Sequence, residues 1–136
     1  KSNVNDITAT IACTAMDHLD VPLSRRKEIG ERYRRELNSL SKIKLIEYKD
    51  HWTPNYQIFP IHVEKRIEFA DFMWDRGIQV NVNNRRNDIY DIFGGLCDLP
   101  NLKRVDEDVI LIPIHFDLTD SDVDRIVKAI KEYDNS

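Results

Sequence analysis

The sequence has little glycine and little cysteine, and each shortage excludes a class of site. Only four glycines occur in 136 residues, and the Gly94-Gly95 pair does not lead from a strand into a helix. A phosphate-binding loop of the P-loop kind is therefore excluded. The two cysteines, Cys13 and Cys97, lie far apart without the spacing of metal ligands. We expect two free thiols in a reducing cytoplasm.

Long apolar runs and an excess of one charge are also missing. Hydrophobic residues make up 41% of the chain, yet no run approaches the roughly 20 residues that a membrane helix needs. The net charge is -4 with both signs interspersed, so no basic face exists for a nucleic-acid backbone. We predict one globular domain that neither spans a membrane nor binds nucleic acid. Because the sequence starts at Lys1 rather than Met, we expect a piece of a longer chain.

The first segment has the apolar period of a helix. Apolar residues recur every four positions from Ile7 to Leu19, after a capping Asn5 or Asp6. This pattern predicts an amphipathic helix over about residues 6–20.

A second helix follows, with Pro22 suited to its first turn. The apolar stripe of this helix is predicted to comprise Ile29, Tyr33, Leu37 and Leu40, whereas five basic residues are predicted to lie off it: Arg25, Arg26, Lys27, Arg34 and Arg35.

Strand and helix signals then alternate. Residues 43–48 and 56–63 are predicted strands, although Pro60 favours an edge position or an irregularity for the second. Residues 64–76 are a predicted helix that Gly77 terminates, and residues 78–82 are a predicted strand.

The hydrophobic period disappears over residues 83–105, apart from a possible helical turn at 89–93, which predicts a long loop. A short buried strand is predicted at residues 109–113. Thr119 and Asp122 then resemble a capping box before the clearest helix of the sequence, whose apolar face is Val123, Ile126, Val127, Ile130 and Tyr133.

This order predicts an α/β fold. We expect a two-layer sandwich in which long N-terminal helices precede a mostly antiparallel sheet with helices on one face. The leading helices have no partner strand before them, which again favours a missing upstream domain.

The sequence carries no self-contained catalytic motif. Its four histidines fall on separate elements, and none belongs to a recognisable nucleophile motif. His62 and His115, on predicted strands, are expected to be hydrogen-bonded structural residues. The alternating acids at 120, 122 and 124 lack the glycine and terminal glutamate of a calcium loop, so they are expected to complement a helix dipole.

The polar run over residues 81–88 is the most unusual stretch. It directly follows a predicted strand, so its side chains would lie at one end of the sheet. Asn83, Arg85 and Arg86 are candidate substrate-binding residues, because two guanidiniums can bind a phosphate or carboxylate bidentately. A solvated loop with asparagine turns is an equally acceptable interpretation.

Three segments together resemble the DegT/StrS-type family of sugar aminotransferases. The first is Lys1-Ser2-Asn3-Val4-Asn5-Asp6-Ile7-Thr8-Ala9; the second is Arg25-Arg26 with Ile29 and Tyr33; the third joins Arg76-Gly77-Ile78 to the tail from Ile112 to Ile126. Their order and spacing cover nearly the whole chain. The resemblance implies a fold-type-I aminotransferase, of which this chain is the C-terminal small domain (residues 1–136), with linking helices over 1–40 and an α/β sandwich over 41–136.

The resemblance also implies pyridoxal phosphate as cofactor, a keto-sugar substrate, an amino-acid donor and a homodimer with shared active sites. The Schiff-base lysine belongs to the family's large domain, so this chain is expected to be catalytically incomplete by itself. By position, Lys1 and Asn3 match side chains that the family sends to the neighbour's cofactor phosphate. Residues 83–88 depart from the family's usual histidine and tyrosine pattern, which leaves the substrate open.

Two alternatives remain from the residues alone. The chain could be a stand-alone, non-catalytic module for protein interaction or anion binding with the same small-domain fold. It could also be an independent small-molecule enzyme with Arg85, Arg86, Asp88 and His115 in one pocket.

Overall fold

A computed structural model describes residues 5–82, 86, 88–94 and 99–136. The helices of this part are α1 (Asp6–Asp17), α2 (Asp20–Leu37), α3 (Arg66–Asp75), α4 (Pro100–Asp108) and α5 (Asp120–Asn135), and the strands are β1 (Ile43–Leu45), β2 (Phe59–Val63) and β3 (Val109–Ile112). A 3-10 turn lies at Asp91–Phe93. None of the helices in these ranges is both long and apolar enough to cross a membrane.

The three strands form an antiparallel sheet in the order β1-β2-β3. Ile61 at the centre of β2 pairs with Leu45 on one side and Ile110 on the other. Beyond β3, Asn81 forms an isolated antiparallel bridge to Leu111. The mostly antiparallel sheet predicted from the sequence is confirmed.

Helices cover one face of the sheet. Along β2, Phe59, Ile61 and Val63 are buried and alternate with half-buried Pro60 and His62, as side chains of a strand must alternate between faces. Helix α2 contacts β1, α3 contacts β2, and α5 contacts both α2 and α3. The α/β two-layer sandwich is therefore confirmed.

Aromatic rings pack edge-on in the core, both between the layers and within the helical layer. The ring of Tyr33 on α2 meets Phe59 edge-on, with centroids 5.2 Å apart. Phe69 on α3 meets Tyr133 on α5 in the same way at 5.0 Å. Edge-to-face pairs of this kind stabilise a core beyond the area that they bury. The apolar faces predicted for α2 and α5 are buried as expected.

The start of α5 is held by the predicted capping box. The Thr119 hydroxyl oxygen accepts from the Asp122 backbone N–H, and the Asp122 carboxylate accepts from the Thr119 backbone N–H. This exchange satisfies two backbone donors that a helix start leaves without partners.

Pro60 lies in the central strand, so of the two expected alternatives, an edge position or an irregularity, the edge position is wrong. Leu111 exchanges both of its backbone hydrogen bonds with Asn81, at 2.7 and 3.1 Å, and therefore directs none toward Pro60 across the sheet. The nitrogen of Pro60 consequently faces the side of β1, and β1 ends at Leu45, one residue short of it. No ladder hydrogen bond is lost to the proline at this register.

Other boundaries also differ from the sequence-based expectations. Helix α4 occupies residues that were expected to be loop, with Pro100 in its first turn. The strand predicted at 78–82 is reduced to the bridge at Asn81, and His115 follows β3 instead of lying on it. The first helix ends at Asp17, and a short break separates it from α2.

The apolar stripe of α1 is exposed, which the sequence did not predict. Asn5 caps the helix as expected, its side-chain oxygen accepting from the Thr8 N–H at 2.8 Å. The helix nevertheless buries none of its residues, and Ile7 and Ile11 are 74% and 65% exposed. Met16, elsewhere on the same helix, is 72% exposed as well. An apolar helix of this kind is normally covered by other protein.

Candidate functional site

Four of the five predicted site residues lie outside the described residues. These are Lys1 and Asn3, predicted to contact cofactor phosphate, and Asn83 and Arg85, predicted to contact substrate. Cys97 also lies outside them, whereas Cys13 is a free, exposed thiol on α1. Arg86 is the predicted site residue whose surroundings the structure describes.

Arg86 forms a close pair with Asp88. Its Nε donates to one carboxylate oxygen at 3.0 Å, and its Nη2 donates to the other oxygen, so the contact is bidentate. Both side chains are largely buried, at 14% and 8% exposed. The hydrogen bonds from Arg86 lower the pKa of Asp88 below its usual range. An incoming anion would therefore compete with Asp88 for two donors of the guanidinium.

An open cavity of about 390 Å³ lies between the end of β3 and the start of α5. Its lining includes Asn81, His115 and Arg125, but neither Arg86 nor Asp88. His115 and the Arg86–Asp88 pair therefore do not share this cavity.

Arg125, which lines this cavity, forms hydrogen bonds to the end of α3. Its Nη2 donates to the carbonyl oxygens of Arg76 and Gly77, at 2.6 and 3.0 Å. These carbonyls carry the partial negative charge of a helix C-terminus, which a guanidinium complements. Gly77 has φ +67, the left-handed conformation that ends many helices. Arg125 thus has a structural role that the sequence-based analysis missed.

A larger cleft of about 640 Å³ runs along the end of α2, β1 and α4. Basic side chains on its walls include Lys44, Lys65 and Arg104, with His62 of β2 between them. Lys65 pairs with Glu68 at 3.1 Å and Arg104 with Asp108 at 3.8 Å, so part of this positive charge is already compensated.

Arg26 on α2 differs from three other arginines of its helix, which have partners, and from Arg35, which is exposed. Arg25 donates to the Leu118 carbonyl and to Asp120, Arg32 pairs with Glu36 and Asp124, and Arg34 donates to the Ile46 carbonyl. Arg26 makes no hydrogen bond or ion pair with any described residue, and its Nε is buried without a partner. The expectation that Arg26 lies off the apolar stripe is wrong. It precedes Ile29 by three residues and Tyr33 by seven, a spacing that places them on one helix face.

The fold matches part of solved sugar aminotransferases. The sugar aminotransferase CalS13 from Micromonospora echinospora superposes on this chain with a TM-score of 0.90 at 30% sequence identity. The match covers 95% of this chain and 35% of CalS13. DesV from S. venezuelae, solved in complex with a ketimine intermediate, shares the fold with a TM-score of 0.93 at 21% identity, over 100% of this chain and 38% of DesV.

The chain belongs to the DegT/DnrJ/EryC1/StrS aminotransferase family, whose model matches residues 1–131. A curated relative, the dTDP-4-amino-4,6-dideoxy-D-glucose transaminase of Shigella dysenteriae, is 23% identical over 95% of this chain and 38% of its own length. The chain thus spans little more than a third of the length of such relatives. The resemblance stated from the three sequence segments is confirmed.

This family depends on pyridoxal phosphate, and the described residues do not form a site that could hold the cofactor covalently. A lysine that forms a Schiff base needs a desolvated environment that lowers its pKa. None of the described lysines is buried: all are exposed except for half-buried Lys131, which pairs with Glu36 at 2.9 Å. No described lysine therefore fits the role.

Proposed function

We propose that this chain is the C-terminal, small-domain part of a sugar aminotransferase, with residues 1–40 linking it to a large domain and residues 41–136 forming the sandwich. The complete protein would move an amino group from an amino acid such as glutamate to a keto-sugar by means of pyridoxal phosphate. The observation that carries this proposal is the family match over residues 1–131 in a chain that spans 35–38% of its relatives.

The exposed stripe of α1 supports a missing large domain. Ile7, Ile11 and Met16 are mostly exposed. Among the described helices, α2, α3 and α5 bury residues in the core, whereas α1 and the polar α4 bury none. Covering an apolar side chain stabilises a protein by about 1.5–3 kcal/mol. We expect the large domain to cover this stripe in the complete protein.

The lack of a suitable lysine supports catalytic incompleteness. In this proposal the large domain supplies the lysine that binds the cofactor, and this chain contributes polar side chains. Lys1 and Asn3 would reach the cofactor phosphate of the other subunit in a cytoplasmic homodimer. Anions are favoured near a helix N-terminus, and α1 begins just after these residues.

The loop after residue 82 would face the sugar substrate, through Asn83, Arg85 and Arg86. Asp88 already neutralises Arg86, so Arg86 would orient neutral sugar hydroxyl groups better than it would bind a strongly charged group. Arg85, two residues from Asn83, would then be the residue that meets an anionic part of the substrate.

A transamination assay on the longer protein encoded by the same reading frame tests the proposal. With pyridoxal phosphate and glutamate, the longer protein should convert the cofactor to its amine form and then aminate a keto-sugar, whereas residues 1–136 alone should do neither. A longer protein that binds no pyridoxal phosphate would refute the assignment.

The alternative is a stand-alone interaction module with the same fold. The exposed apolar face of α1 would then bind another protein. This alternative predicts that a reading frame ending at these 136 residues produces a stable protein. Sedimentation of the isolated chain distinguishes the two functions. A stable monomer favours the stand-alone module, whereas self-association through an uncovered α1 favours a missing covering domain.

A further inference from the structure

Helix α2 carries one continuous face that is only partly used by this chain. Ile29, Tyr33 and Leu37 on its C-terminal half are at most 1% exposed, and they pack in the core. The same face continues toward the N-terminus through Arg26 and Pro22, which are only half-buried. The face therefore emerges from the core of this chain at Arg26.

The guanidinium of Arg26 is the unusual group on this face. Its Nε is buried and has no hydrogen-bond partner, whereas Arg25 next to it donates at 2.8 Å to the Leu118 carbonyl and at 2.7 Å to Asp120. Buried polar groups are nearly always hydrogen-bonded, because a donor without a partner loses its hydration and gains nothing in exchange. A charged donor incurs the larger loss.

A carboxylate is the group that best satisfies this donor. The Nε and one Nη of an arginine form a planar edge that matches the two oxygens of a carboxylate, and such a bidentate pair is stronger than a neutral hydrogen bond. The structure already contains this geometry at Arg86 and Asp88, where Nε and Nη2 bind the two carboxylate oxygens. No described acidic side chain of this chain contacts Arg26 in the same way.

Exposed apolar residues that precede Arg26 in the chain indicate where its partner comes from. On the N-terminal side, α1 and the first turn of α2 leave Ile11, Met16 and Val21 exposed, at 65%, 72% and 71%. The relatives extend well beyond this chain, which covers 35–38% of their length. The same missing protein that would cover these apolar residues would lie next to the emerging face of α2.

We propose that Arg26 forms a bidentate ion pair with an Asp or Glu side chain from the part of the protein outside these 136 residues. The pair would fix the angle at which α2 leaves the small domain. This inference rests on the proposed function, because it requires the longer protein. It makes Arg26 a positioning residue for the two parts and assigns it no contact with substrate.

Two variants of the longer protein and a matched control test this pair. Arg26→Gln removes the charge, Arg26→Lys keeps the charge but lacks the planar edge, and Arg35→Gln removes an exposed arginine that bonds to no described residue. We expect both Arg26 variants to lower the thermal midpoint of the longer protein by roughly 5 °C or more, with less than 1 °C for the control. Equal small shifts for all three variants would overturn the proposal.

A crystal structure of the longer protein identifies the partner directly. We expect an Asp or Glu oxygen from outside these residues within about 3.2 Å of Arg26 Nε. An Nε that bonds to a residue of this chain, to a bound phosphate, or to nothing would each overturn the inference. A double-mutant cycle with the carboxylate so identified should be non-additive, whereas additive effects would show that the contact does not couple the two parts.

The proposed function and the Arg26 ion pair can fail independently of each other. If the longer protein forms its cofactor adduct but Arg26 has no external carboxylate, the inference fails and the aminotransferase assignment remains. If the ion pair is present but no pyridoxal phosphate binds, the interface stands and the assignment fails.

Discussion

At the scale of single residues, Gly30 has a specific role in the middle of α2. A Cβ atom added there would lie 2.4–2.6 Å from ring carbons of Tyr56, closer than van der Waals contact permits. The Tyr56 ring is held from its other sides, since it stacks on Phe59 with centroids 6.1 Å apart and meets Tyr48 edge-on at 6.4 Å. Tyr56 also has φ +50, a strained conformation for this residue. The glycine therefore allows the loop before β2 to approach the helix.

Gly30→Ala should destabilise the protein, although the same change normally stabilises a helix interior by about 1 kcal/mol. We expect a loss of about 1–3 kcal/mol, because the ring of Tyr56 cannot move aside without disturbing its neighbours. Urea unfolding of the wild type and of Gly30→Ala measures this loss of stability. Arg35→Ala, at an exposed position of the same helix, is the control. A stabilised Gly30→Ala protein would mean that Tyr56 does not pack on α2.

The position of Arg26 on α2 could be predicted from residue spacing, but its partner could not. Its charge suggested a place off the apolar stripe, yet its spacing from Ile29 and Tyr33 puts it on the stripe. Helical geometry was the better guide, because the long aliphatic stem of an arginine can be buried while its end seeks a partner. The partner itself could not be predicted, since it is not among the residues of this sequence that the structure describes.

At the scale of elements, ion pairs join α2 to α5 along their length. Glu36 on α2 accepts from Arg32 of its own helix at 2.8 Å and from Lys131 of α5 at 2.9 Å. Hydrogen bonds from Arg32 and then Lys131 lower the pKa of Glu36 below its ordinary value. Helix packing here therefore depends on an ionised carboxylate.

The stability of the α2–α5 contact should consequently fall in acid. A carboxylate with a lowered folded-state pKa contributes stability above its unfolded pKa of about 4.3, and the contribution disappears as the pH falls through the folded value. Glu36→Gln should thus be less stable than the wild type at pH 7, and the two should converge as the pH falls through the lowered folded-state pKa of Glu36.

Denaturant midpoints measured from pH 7 to pH 3 test this dependence. Glu31→Gln is the matched control, because Glu31 is exposed and its pair with Lys27, at 3.8 Å, stays within one helix. A constant difference between wild type and Glu36→Gln at every pH would argue against the ionic contact.

Elements with strong local signals were predictable, and those set by distant contacts were not. The α5 helix was predictable because its capping box and its apolar period agree. The edge position suggested by Pro60 was wrong because a central strand can accept a proline where its neighbour β1 has already ended. The end of β1 is known only from the strand register. Helix α4 was missed because it buries no residue, so it has no core-facing apolar period for the sequence to display.

At the scale of the whole molecule, the chain has a complete core and an incomplete surface. The sheet and helices α2, α3 and α5 bury one continuous cluster from Ile29 to Tyr133. Helix α1 and the first turns of α2 leave their apolar side chains exposed. The fold was predictable because its pattern is local, whereas four of the five predicted site residues, Lys1, Asn3, Asn83 and Arg85, lie outside the described residues.

We propose that this chain belongs to a pyridoxal-phosphate enzyme but does not contain the lysine that binds the cofactor. The most direct measurement is borohydride reduction with pyridoxal phosphate, followed by mass spectrometric mapping of modified lysines, on both the chain and the longer protein. We expect one specifically modified lysine in the longer protein, outside residues 1–136, and none in this chain alone. A single specifically modified lysine within residues 1–136 would contradict the account.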